Sequence, residues 1–106
     1  ACHAPAQAGD PRAQRSLAQS LSALQRYEEA RNWLLQAARQ GDVQAQLGLA
    51  EMSLNGRDGR ADPALAWAWL LQAGEQHQAA GLAQGLSAGQ RERALDQVRQ
   101  QLGIHP

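Results

Sequence analysis

The chain repeats itself, and that restricts its fold more than any other feature. Gly9-Asp10-Pro11-Arg12-Ala13-Gln14 returns 32 residues later as Gly41-Asp42-Val43-Gln44-Ala45-Gln46, and Leu17-Ala18 then falls on Leu49-Ala50. Ala30-Arg31-Asn32-Trp33-Leu34-Leu35-Gln36-Ala37 returns as Ala66-Trp67-Ala68-Trp69-Leu70-Leu71-Gln72-Ala73 at an offset of 36. The four additional residues belong to one loop, where 23–25 of the first copy answer to 55–61 of the second. A unit of this length with a variable internal loop cannot bury its apolar face alone and has to stack on its neighbours.

The units are helical. Ala (22), Gln (16), Leu (15) and Arg (10) dominate the 106 residues, while Val, Ile and Thr together supply 3 and Phe none. Strands want the residue types that are missing. Asp10, Asp42 and Asp62 are N-cap candidates whose carboxylates accept the free N–H groups of a first turn. Pro11 and Pro63 follow at the first helical position, where a missing N–H costs nothing. Gly41 and Gly103 suit the left-handed residue just past a helix end. The spacing predicts helices near 11–24, 27–40, 43–54 and 63–76, a weaker one near 79–86 and a last one near 88–102.

One face of the longer helices is meant for burial. Ala30, Trp33, Leu34, Ala37 and Ala38 recur at helical spacing, and Ala66, Trp69, Leu70, Ala73 and Gly74 repeat that face. Small residues beside a large ring let neighbouring helices approach and interlock, so Trp33, Trp69, Leu34 and Leu70 are expected in the core. Towards the end of the chain, Gly81 and Gly85 weaken the 79–86 helix by about 1 kcal/mol each relative to Ala. Ser87 with Gln90 forms a capping-box pattern. Beyond it Ala94, Leu95, Val98 and Leu102 make one apolar stripe on an otherwise polar helix, as a terminal cap requires.

Ala45, Leu49-Ala50, Gly56, Asp62, Ala66, Trp69 and Ala73 stand at the spacing of the Sel1-like repeat, a relative of the tetratricopeptide repeat built from two antiparallel helices. The chain resembles that family over about residues 9–80. Ala50 stands where the family has Gly, Ser53 where it usually has Tyr, and Arg57-Asp58-Gly59 blurs its second loop glycine. The first copy lacks most of that loop, and its Tyr27-Glu28-Glu29-Ala30 start is similar to a tetratricopeptide unit. The resemblance implies an all-α fold, a short right-handed α-solenoid of antiparallel helix pairs with a C-terminal capping helix. On this reading residues 1–9 form a tether and 10–106 the repeat domain. Repeat one occupies about 10–41, repeat two about 42–77, and a partial repeat with its cap about 78–103.

Charge excludes some partners. Ten Arg, no Lys and ten acidic residues give a formal net charge of zero, which leaves no field to hold a polyanion, so no nucleic-acid partner is expected. No run of about 18 apolar residues is present. Cys2 is the sole cysteine, which rules out an internal disulfide and a cysteine-based zinc site. Arg-only, Ala-rich usage points to a GC-rich bacterial genome. Ala1-Cys2 followed by the polar stretch His3-Ala4-Pro5-Ala6-Gln7-Ala8-Gly9 resembles the junction of a processed bacterial lipoprotein, with Cys2 lipidated. The alternative for Cys2 is a free thiol in a frayed tail.

Catalytic constellations are sparse. His3 and His105 lie near the ends, and His77 is expected at a helix exit. No serine has a nucleophile context, and adjacent Glu28-Glu29 point about 100° apart on a helix. The 56–60 loop has neither the Lys nor the preceding strand of a phosphate loop. No catalytic residue, cofactor or metal is therefore expected. Two features go beyond structural need. Trp67, with Arg31 in its place in the first copy, either packs on the preceding helix or lies exposed as an anchor for a partner. Arg57 and Arg60 either grip a partner's acidic segment or are solvated loop residues.

The expected function is a non-enzymatic adaptor whose surface, lined by Arg12, Arg15, Gln44, Gln46 and Glu51, receives a protein segment. The resemblance adds a setting, since bacterial Sel1-like proteins often work in the cell envelope, in polysaccharide export, secretion machinery or toxin immunity. A periplasmic protein anchored at the outer membrane only through lipid on Cys2 is the resulting expectation. The alternatives are a small envelope hydrolase or glycan-binding protein, and a piece of a longer repeat array.

Overall fold

A computed structural model describes residues 9–56 and 61–103. Within them the chain forms α1 (Pro11–Ala23), α2 (Tyr27–Arg39), α3 (Val43–Asn55), α4 (Pro63–Gln72), α5 (Gln76–Ala83) and α6 (Ala88–Leu102), with no strand among the described residues. The all-α class follows from the sequence. Asp10 caps α1 by accepting from the Arg12 N–H at 3.0 Å, and Asp62 caps α4 through the Leu65 N–H at 3.1 Å. Ser87 and Gln90 form the capping box of α6, each side chain accepting from the other's backbone N–H at 3.1 and 2.8 Å. Asp42 holds the N-cap position of α3, but its carboxylate caps no N–H and is instead committed to Arg15.

The hairpin turns share one hydrogen-bond pattern. After α2, Gly41 donates to Ala38 O and Asp42 to Ala37 O; after α4, Gly74 donates to Leu71 O and Glu75 to Leu70 O. Both glycines have left-handed φ, +88° and +87°. This is the Schellman arrangement, which satisfies carbonyls that a helix end otherwise leaves open. Gly74 therefore ends α4 rather than continuing its core face, and α4 and α5 fall at 63–72 and 76–83 instead of the expected 63–76 and 79–86. The α1 turn uses the same two bonds, Gln25 to Ser22 O and Arg26 to Leu21 O, with a non-glycine at the left-handed position: Gln25 has φ +63°.

Helices α1 to α5 pack in chain order, each against the next. The last helix departs from this rule. Instead of pairing with α5, α6 lies along α4 and reaches back to α2, so it bridges both repeats. Its stripe supplies buried Ala94 and Val98, with Leu95 and Leu102 packed at the margin. Arg39, in the last turn of α2, donates from Nε to the Gln101 carbonyl at 2.6 Å, placing a cation on the negative end of α6.

Helix α4 is the centre of the molecule, flanked by α3, α5 and α6. Leu65, Ala66, Trp67, Ala68, Trp69 and Leu70 are all buried, as expected for a helix that is apolar on every side. Trp69 is 1 % exposed. Trp33, its counterpart in α2, packs on the core while keeping part of its ring at the surface, and Leu34 is buried. Ala30, Ala37, Ala45 and Ala66 are wholly buried, and side chains this small let neighbouring helices approach closely.

Candidate interaction groove

The first helices of the two repeats, α1 and α3, scarcely touch. A furrow of about 500 Å³ remains between them, closed at its base by the side of α2. Its floor is apolar, made by Ala18, Leu34, Leu47, Gly48 and Met52, and its walls carry Arg15, Gln19, Ser22, Gln44 and Glu51. Helical spacing explains the selection: 15, 18, 19 and 22 form one face of α1, and 44, 47, 48, 51 and 52 one face of α3.

Two charges define its electrostatics. Arg15 Nε contacts Asp42 Oδ2, and with side chains 27 % and 14 % exposed the pair is partly shielded from water. Arg15 is thus already balanced by the following repeat. Glu51 lines the furrow from an exposed position and makes no ion pair among the described residues. A second, shallower hollow lies where α4 begins, between Asp62, Pro63, Leu82 and Leu86.

The structure therefore brings together Arg15, Gln44 and Glu51 out of the residues expected to meet a partner. Arg12 is exposed on α1 but does not line the furrow. Gln46 is 5 % exposed and turns inward, its Nε2 3.4 Å from the Ala38 carbonyl. Trp67 is 7 % exposed, enclosed on the central helix, so no ring is presented to a partner there. Arg57, Asp58, Arg60, Cys2, His3 and His105 lie outside the described residues. His77, expected at a helix exit, stands exposed in the first turn of α5, because α4 stops four residues earlier than the spacing suggested. Glu29 of the acidic pair is taken by Arg26 in a two-pronged surface ion pair at 2.9 and 2.6 Å. Gln19, Ser22, Leu47, Gly48 and Met52 were not singled out from the sequence, although the helical spacing of Arg15 and Gln44 pointed to their faces.

Among the described residues no three His, Cys, Asp or Glu side chains are grouped to hold a metal ion, and no helix is long and apolar enough to cross a membrane. Stacked helix pairs with an open furrow between their first helices define the class of helical-repeat interaction proteins. The chain belongs to the Sel1 repeat family, whose model matches residues 11–42 and again 43–77. Sel1 repeats generally mediate protein–protein interaction, and the family is typically non-enzymatic. Neither the curated proteins nor the solved structures hold a match to this chain.

Proposed function

We propose that this protein is a non-enzymatic adaptor of the bacterial cell envelope that receives a segment of a partner protein in the α1–α3 furrow. The observation that carries this reading is the furrow itself: an apolar floor with amide and hydroxyl groups along its walls, open along its length. The side-chain amides and hydroxyl of such a surface can bond the main chain of an extended segment while its floor buries the segment's apolar side chains. The envelope setting rests on the lipoprotein-like Ala1-Cys2 junction and the polar residues after it. A lipid on Cys2 would keep the domain on the periplasmic face of the outer membrane. There, membrane-bound partners in export, secretion or toxin immunity are met at raised effective concentration, and modest contact affinity suffices.

Photocrosslinking tests it. A crosslinking residue at Gln19 or Gln44 should give a discrete protein adduct in envelope extract, while one at Glu92 on the outer side of α6 should not. Identical adducts from all three positions would dismiss the furrow. For the anchor, Cys2→Ser should release the protein from the membrane fraction; a wild-type protein that is already free of membranes would dismiss the tether.

A further inference from the structure

The furrow contains a glycine with no backbone reason to be there. Gly48 lies in the middle of α3, where Gly costs about 1 kcal/mol relative to Ala, and its φ is not among the left-handed ones. Close packing does not demand it either. A Cβ built at Gly48 meets only the Leu34 Cδ1 and Cδ2 methyls, both at 3.4 Å, which is ordinary contact. What the missing side chain does is leave a notch in the floor, with the Leu34 methyls at its base and Leu47 and Met52 beside it. Glu51 stands one turn further along the same face. Since Asp42 balances Arg15, Glu51 sets the sign of the charged lining, which is negative.

We propose that the furrow recognises a protein segment in which an apolar side chain, seated in the Gly48 notch, lies beside a basic one that pairs with Glu51. This rests on the interaction reading above and narrows it to the chemistry of the partner. An acidic segment meets like charge at Glu51 and finds Arg15 already occupied. A segment lacking the apolar side chain leaves the notch wet.

The test uses the isotope-labelled protein and short capped peptides in a Ser/Gly background. One carries leucine followed by lysine, a second leucine followed by glutamate, and a third serine followed by lysine. The leucine–lysine peptide should move the amide signals of Gly48, Glu51 and Leu34 at millimolar concentration. The glutamate peptide should bind about threefold more weakly or worse, the size of an exposed ion pair. In Glu51→Gln that discrimination should vanish. Gly48→Leu fills the notch and should lower affinity at least about tenfold, the value of one buried leucine side chain. Gly48→Ala, which favours the helix, should keep the fold and weaken binding by less. Equal affinity for the lysine and glutamate peptides, or unchanged binding in Gly48→Leu, overturns the inference. Furrow signals that move with the glutamate peptide instead would leave the adaptor reading standing. Failure of every peptide overturns the inference, and the adaptor reading falls as well only if the Gln19 and Gln44 crosslinks both fail or give the same adducts as Glu92.

Discussion

Trp33 and Trp69 occupy the same place in successive repeats, yet truncating them should have unequal consequences. A tryptophan buries about 150–250 Å² in a core, which at about 25 cal/mol per Å² corresponds to about 4–6 kcal/mol. Trp69, 1 % exposed and enclosed within α4 by its three neighbouring helices, realises nearly all of it. Trp69→Ala should therefore cost about 3–5 kcal/mol, the usual range for such truncations. Trp33 keeps part of its ring in water, and solvent can enter the space it vacates, so Trp33→Ala should cost roughly half as much. Against a total of about 5–15 kcal/mol for a domain, the first change brings the protein close to unfolding and the second does not. Urea titration followed by far-ultraviolet circular dichroism measures both without relying on the indoles being removed. The denaturant slope should stay the same while the midpoints separate. Equal midpoints, or a larger loss at Trp33, would refute the claim that α4 and not α2 is the centre of packing.

Other outcomes follow from single residues. Gln25→Gly should stabilise the protein by about 1 kcal/mol in thermal or urea unfolding, because a side chain at φ +63° carries the left-handed penalty. Gly74→Ala should destabilise by about 1 kcal/mol at φ +87°, whereas Gly81→Ala, in open space on α5, should stabilise by about the same. Ser87→Ala removes the capping box and should cost about 1 kcal/mol, with earlier amide exchange in the first turn of α6. A double-mutant cycle on Arg15→Ala and Asp42→Ala should give a coupling of about 0.5–1 kcal/mol, reduced by added salt because the pair keeps some exposure.

Much of the fold could be read before any coordinates. The Asp10 and Asp62 caps, the Pro residues after them, and the Ser87–Gln90 pair are local signals that local backbone chemistry reproduces, whereas Asp42 begins α3 as expected but gives its carboxylate to Arg15. The misreadings came from what surrounds a residue. Gly74 sits at helical spacing from Trp67 and Leu70, and only the backbone reversal at its positive φ tells a turn from a core position. For Trp67, opposite Trp69 on the helix, the sequence leaves packing and partner binding open, and the structure decides for packing, because a helix flanked on three sides has no outward side. The uninterrupted run from Leu65 to Leu70 carried that signal. Part of the furrow's wall was legible through Arg15, Gln44 and Glu51. Its notch was not, since a glycine in a helix announces a cost without saying what the space is for.

The way α6 is seated constrains how the array can grow. Solenoids ordinarily lengthen by inserting units, because each touches only the next. Here the last helix grips both repeats, with Arg39 of one reaching a carbonyl 62 positions downstream. A further hairpin spliced between them would carry the two halves of that clasp apart. Duplication, the common route by which such proteins grow, is closed at this joint.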